Sequence, residues 1–392
     1  MLPSDYSAYV NASMRVLINA TSARIGGGVT VLRNLLPALC AQDSGANDYR
    51  VIAREEVSAQ LDPHHPRVHL EVPAMLGSSI LSRAAWEQLH LPALALRKTD
   101  LLFSPAGLAT FVSPVPQVLM VQNMAPFDSD VLRRCTPPVR RRMHILRELG
   151  ILSARRSSRV VFISDFARTQ LTPLFDIPES RTERLHLGRD HAFSPQAISG
   201  APAMLARLGI ARPYLLSVGQ FYPYKNLVEL VIGFSRARAS LPAEMMLVLA
   251  GAEVEETVSH AVRAAIAREG LQEHVKLLGQ IRYEDLPPLY AAASLFIFPS
   301  TCENFPNILV EGLASGVPVL CSRLGPMPEV AGPGADYFDP FDPDDISSAI
   351  IRTHHDPKRQ AALRISGKKM AARYSWDVTA RGLLTVFSAA VA

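Results

Sequence analysis

Cysteine is scarce and poorly spaced for chemistry. The 392 residues hold four, Cys40, Cys135, Cys302 and Cys321, and none forms a Cys-x-x-Cys pair, which argues against a zinc ribbon, a dithiol centre or a disulfide framework. No apolar run approaches the roughly 18 residues that cross a bilayer. An excess of one charge is also missing: 40 Lys and Arg against 36 Asp and Glu leave a net +4, so nucleic acid is not an expected partner. The first thirteen residues carry neither a basic nor an apolar stretch, so no secretory leader is expected, and free thiols point to a cytoplasmic setting. Walker A and Gly-x-Gly-x-x-Gly patterns are absent, which leaves an NTPase or a dehydrogenase without support.

The chain does contain alternating apolar strands and helix-period segments. With 48% hydrophobic and 19% charged residues it reads as an ordinary globular protein, long enough for two domains of about 200 residues each. Strands are expected at 14–19, 49–53, 101–104, 118–121 and 159–164, then at 214–219, 246–250, 275–278, 295–298 and 317–321. Each half opens on a strand, a loop and an apolar-periodic helix, carried by Val31, Leu32, Leu35, Leu36 and Leu39 in one and by Leu227, Leu230, Val231 and Phe234 in the other. Strands alternating with helices predict two doubly wound parallel sheets with right-handed crossovers. Ser194, Pro195, Ser199, Gly200 and Pro202 break the pattern, and the expected domains are 14–198 and 199–373, followed by a helical tail at 374–392.

The most informative stretch is 300–319. Leu295, Phe296, Ile297 and Phe298 read as a buried strand, and a helix pattern through Ile308, Leu309 and Leu313 ends near Gly316. Glu303 therefore leaves the carboxyl end of a strand and Glu311 sits in the following helix, at the rim where open α/β sheets bind ligands. A loop or helix glutamate ordinarily just faces water. Here the surroundings, Pro299-Ser300, Glu303, seven residues, Glu311, then Gly316-Val317-Pro318-Val319, resemble the signature of the retaining family 4 glycosyltransferases, enzymes of the GT-B fold.

The resemblance extends over most of the chain from Met14. Segment 218–227 is similar to the family's donor-phosphate loop and keeps Lys225, while Gln220 stands where an arginine is frequent. Gly26, Gly27 and Gly28 fall in the first strand-to-helix loop, where missing side chains let backbone approach a ligand. Gln122 and Asn123 replace a His-Asp pair; they keep hydrogen-bonding capacity and lose proton transfer. The resemblance implies two Rossmann-like domains facing across a cleft, the first binding acceptor and the second donor, with the tail crossing back to the first. It also implies Glu303 on the donor sugar, Glu311 on the ribose, Lys225 at the leaving diphosphate and the base near Gly251 and Ile281. Gln122 and Asn123 then position hydroxyls, and the backbone N–H groups of Asn307, Ile308 and Leu309 are expected to face the diphosphate. No cofactor or metal is expected, and the Asp-Pro-Asp-Asp run at 342–345 reads as a helix start.

One basic stretch stands apart. Nine arginines in 133–159, Arg140, Arg141 and Arg142 among them, interleave with Val139, Met143, Ile145, Leu146, Leu149 and Leu152. A helix here is expected to turn an apolar face to the core and a cationic face outward. Such a face is commonly just solvated; its functional reading is attachment to an anionic inner-membrane surface. The sequence thus points to a hexosyltransferase using a UDP- or GDP-linked sugar on a glycan or lipid-linked acceptor, as in lipopolysaccharide, O-antigen or exopolysaccharide synthesis. A nucleotide-sugar epimerase of the same architecture and a degenerate glycan-binding subunit are the alternatives.

Overall fold

The computed structural model describes residues 13–23, 27–43, 45–61, 65–73, 80–210 and 213–392. They form two compact units, one containing the chain up to Phe127 with Thr136–Gly188 and Ser375–Ala392, the other Asp128–Cys135 with Arg189–Tyr374.

In the first unit, β1 (Arg15–Asn19), β2 (Asp48–Ile52), β3 (Val68–Glu71), β4 (Leu101–Ser104), β5 (Gln117–Val121), β6 (Arg159–Phe162) and β7 (Thr182–Arg184) make a parallel sheet ordered β3-β2-β1-β4-β5-β6-β7. The helix Gly27–Gln42 follows β1 and buries Val31, Leu32, Leu35, Leu36 and Leu39. The last helix, Trp376–Val391, belongs to this unit. Phe387 meets Phe103 edge-on at 5.2 Å, and Arg381 donates to Gln42 Oε1 at 2.8 Å. Gly188 permits this docking: a Cβ there would lie 2.2 Å from the Trp376 backbone nitrogen.

The second unit repeats the plan with β8 (Tyr214–Val218), β9 (Met246–Ala250), β10 (Val275–Gly279), β11 (Leu295–Phe298), β12 (Val319–Ser322) and β13 (Ala335–Phe338). They are parallel and ordered β10-β9-β8-β11-β12-β13. Strands β8, β11 and β12 are buried at every residue, as expected where helices cover both faces of a parallel sheet. The helix Leu227–Ala237 contributes Leu227, Leu230, Val231 and Phe234 to this core.

Three departures from the sequence expectation have physical causes. The first boundary falls at Gly188, ten residues ahead of 198, because Phe193 is buried in the second unit, edge-on to Tyr283 at 5.8 Å and to Tyr290 at 5.6 Å. Residues Asp128–Cys135 pack with the second unit although they follow β5 of the first. The arginine-rich stretch is not one helix: Ser129–Arg134 ends before Thr136, and Pro137–Arg156 starts anew with prolines in its first turn. The expected core face is also missing, since the second helix buries only Gly150, Ser153 and Ala154.

Candidate active site

The second sheet reverses strand order between β8 and β11, which opens a crevice at their carboxyl ends. The loops leaving β8, β9 and β10 are laced by backbone hydrogen bonds, Gly219 N–H to Ala250 O at 2.9 Å, Phe221 N–H to Ala252 O at 2.9 Å and Gly251 N–H to Gly279 O at 2.8 Å. Gly251 is required there: a Cβ would lie 1.9 Å from the Gly219 carbonyl oxygen. Gln220 and Ile281 are half-exposed at the same edge.

After β8 the chain makes a 3-10 turn, Pro223–Lys225, and Asn226 takes the left-handed conformation with φ 56°. Its amide donates to the Pro340 carbonyl, fixing the turn against the loop after β13. The loop after β11 is tied to the same turn, because Thr301 N–H donates to Tyr224 O at 2.8 Å. These ties bring Lys225 Nζ within 2.6 Å of Glu303 Oε1. Ser300 Oγ donates to that carboxylate oxygen at 2.7 Å. The ammonium also lies over the rings of Phe298 and Tyr224, 5.2 and 5.4 Å from their centroids. Both charged side chains are largely removed from water, with 10% and 15% of their surface exposed, so each depends on the other for compensation. Burial and the Glu303 carboxylate hold the Tyr224 phenol well above its usual range.

Glu311 lies one helix further on, in Asn307–Ser315. The Tyr290 phenol donates to its Oε2 at 3.2 Å, and burial followed by the Glu311 charge keeps that phenol protonated far above its ordinary value. The N-terminal amides of this helix differ from expectation. Asn307 N–H is engaged by Phe305 O at 3.0 Å and Leu309 N–H by Pro306 O at 2.9 Å, because the tight Pro306 entry folds the first turn back on itself. Ile308 N–H alone of the three has no backbone partner among the described residues.

In the first unit Gln122 and Asn123 follow β5, and both amides have local duties. Gln122 Nε2 donates to the Pro105 carbonyl, and Asn123 Oδ1 accepts from Ala125 N–H at 3.0 Å. Gly27 and Gly28 are the first two residues of the helix after β1 rather than a loop; Gly26 lies outside the described residues. Arg140, Arg141 and Arg142 are exposed on the Pro137–Arg156 helix.

Sequence reasoning missed several polar groups. Ser300 and Tyr224 lay inside the recognised segments without a role, and Tyr290 sits in a plain apolar pattern. A buried cluster at the carboxyl end of β1 gave no signal at all: Thr21 Oγ1 bonds Asn19 Oδ1 at 2.7 Å and also Glu87, which pairs with Arg83 at 3.4 Å. Burial pushes the Glu87 carboxyl up against the opposing pull of Thr21 and Arg83. Asp128-Ser129-Asp130 is a second Asp-x-Asp spelling that the sequence reading overlooks. Asp128 caps the following helix by accepting from Asp130 and Val131 N–H, at 2.9 and 3.0 Å, and Asp130 pairs with Arg133. Asp342 begins a helix as expected, accepting from Asp344 N–H at 2.9 Å.

The described residues thus form two doubly wound parallel sheets, and the second carries a carboxylate–cation pair at its switch point. Residues 207–370 match the family of glycosyl transferases group 1. O-antigen chain mannosyltransferase B of Escherichia coli is 30% identical over 220 residues, 56% of this chain and 57% of that protein. The MMP alpha-(1->4)-mannosyltransferase of Mycolicibacterium hassiacum is 25% identical over 261 residues, 65% and 60% of the two chains. The chain thus spans about three fifths of the length of these two relatives. Among solved structures, Anabaena HepE in complex with UDP and glucose is similar at TM-score 0.72 and 21% identity, covering 95% of this chain and 98% of that one. WaaG, a glycosyltransferase involved in lipopolysaccharide biosynthesis, is similar at TM-score 0.73 and 15% identity, covering 94% and 99%. Residues 207–370, all in the second unit, thus resemble the group 1 glycosyltransferases, and the fold is the GT-B fold.

Proposed function

We propose that this protein is a retaining, metal-independent glycosyltransferase that moves a hexose from a UDP- or GDP-linked sugar to a glycan or lipid-linked acceptor. The observation that carries the reading is the Lys225–Glu303 contact of 2.6 Å at the β8/β11 switch point. A cation and a carboxylate held side by side in a largely dry crevice suit a ligand that is anionic at one end and hydroxyl-bearing at the other. A diphosphate would draw the Lys225 ammonium, and sugar hydroxyls would replace it as donors to Glu303, each charged hydrogen bond contributing about 1.5–3 kcal/mol. Glu311, already oriented by Tyr290, would accept from the ribose.

The reaction needs no side-chain base. The acceptor hydroxyl attacks the anomeric carbon on the face from which the diphosphate departs, and a leaving phosphate oxygen takes its proton. Lys225 offsets the charge that accumulates on that group. The relatives named as mannosyltransferases support a hexose donor, and the UDP complex of a similar fold supports a nucleotide donor. The exposed arginines and half-exposed apolar residues of Pro137–Arg156 support attachment to an anionic membrane surface, where each cation near the surface contributes about 1 kcal/mol.

Thermal shift against UDP, GDP and their sugars tests the donor reading. A nucleotide at a hundred times its dissociation constant should stabilise by about 2.7 kcal/mol. No stabilisation by any nucleotide would refute it.

A further inference from the structure

The Ser129–Arg134 helix belongs to the second unit and is anchored beside the pair just described. Its cap Asp128 meets the Cys302 thiol, the residue next to Glu303; burial, with the Asp128 carboxylate beside it, raises that thiol well above its usual range. On the opposite wall stands Phe341, whose neighbour Pro340 is held by the Asn226 amide, next to Lys225. Between the two walls lies an open pocket of about 280 Å³ lined by Asp130, Arg133, Arg134 and Phe341. Asp130 is two residues from Asp128 and Phe341 is next to Pro340, so each wall has one residue close along the chain to a group packed beside the Lys225–Glu303 contact.

The lining has a definite chemistry. Phe341, on the loop after β13, is 42% exposed. The Arg134 guanidinium lies 4.8 Å from its centroid. Arg133 and Asp130 pair with each other while exposing 74% and 49% of their side chains. Asp130 puts a negative charge in the lining, which a phosphate would meet with repulsion. A neutral sugar ring, with apolar C–H faces and hydroxyls that both donate and accept, suits an aromatic platform bordered by planar donors and a carboxylate. The volume lies just under the roughly 300–1,000 Å³ of pockets for larger ligands, room for one ring rather than an extended chain.

We propose that the pocket formed by Asp130, Arg133, Arg134 and Phe341 is an acceptor subsite that holds a pyranose ring of the glycan being extended. The assignment rests on the glycosyltransferase reading, and its test keeps the two separable. Methyl α-D-mannopyranoside and an α-linked mannobiose are titrated into the full chain by saturation-transfer NMR, with inorganic phosphate as a competitor. The same samples are examined by thermal shift with UDP and GDP. Saturable sugar binding is expected, weakened about tenfold in Phe341→Ala and in Arg134→Ala and indifferent to phosphate, while the nucleotide shift keeps its wild-type size in both variants. Thermal unfolding of each variant without ligand checks that the exposed substitutions leave the fold intact. Sugar binding that is absent, that is unchanged in both variants, or that phosphate displaces would overturn the subsite. Loss of the nucleotide shift in the wild-type protein would instead bring down the transferase reading on which it stands.

Discussion

Lys225 and Glu303 hold each other in a crevice that shields both from water, so removing either leaves a buried charge without its partner. Breaking such a pair costs about 3 kcal/mol, and replacing both partners by neutral groups of similar shape should cost much less. Urea unfolding of Lys225→Met, Glu303→Gln and the double variant should therefore rank the double variant above either single one. Equal and additive losses would show that the contact is not coupled. In turnover, Lys225→Met should fall roughly a hundredfold, the size of one preorganised electrostatic contact. Glu87 poses a different question, because burial raises its carboxyl above the ordinary 4.5. An acid raised in the folded state binds more protons there than in the unfolded chain. Its contribution is present in full below the unfolded value and lost as pH rises through the folded one. Glu87→Gln should flatten the stability curve over that window, and a curve of unchanged slope would speak against a titrating Glu87.

Among the elements, the strands whose ends were read most sharply from sequence are those buried at nearly every residue. The 101–104, 246–250 and 295–298 expectations match β4, β9 and β11 end to end, since continuous apolar runs have few other uses at that length. The missed strands β3, β7 and β13 are sheet edges; Thr182-Glu183-Arg184 pairs through backbone alone and has no apolar residue to betray it. The two glutamates and Lys225 could be singled out by type and spacing, but their contact spans 78 residues, and no local pattern records it. Nor could adjacency to β5 reveal that Asp128–Cys135 serves the other unit. The Pro137–Arg156 helix carries its own prediction. With only Gly150, Ser153 and Ala154 buried, it offers arginines and apolar side chains together to its surroundings. Arg140, Arg141 and Arg142 changed jointly to glutamine should weaken binding to anionic vesicles and flatten its salt dependence, as measured by co-sedimentation. Unaltered binding would leave these arginines as a solvated face.

Across the whole molecule, each sheet has its own core and its own switch point, so a ligand held by one unit should protect that unit selectively. Lys225, Glu303, Glu311 and Gly251 all belong to the second. Amide hydrogen exchange with and without the best-stabilising nucleotide should slow at 219–226, at Gly251 and at 301–309, where the β8, β9 and β11 loops are already laced together. Residues Asp128–Cys135 should slow with them, despite following β5 in sequence, because their packing is with the Pro223–Lys225 turn and Cys302. Strands β1, β2 and β4 should exchange as before. Gly251→Ala sharpens the test: its Cβ would enter the space of the Gly219 carbonyl, a clash at the upper end of the roughly 1–3 kcal/mol that overpacking costs. That variant should lose nucleotide protection throughout the laced loops while β1, β2 and β4 keep their native exchange. Turnover of the parent protein should persist in excess chelator, since the proposed mechanism assigns the charge on the leaving diphosphate to Lys225. Protection centred on the first sheet, or activity abolished by chelator, would mean that the donor is held by machinery other than the Lys225–Glu303 crevice.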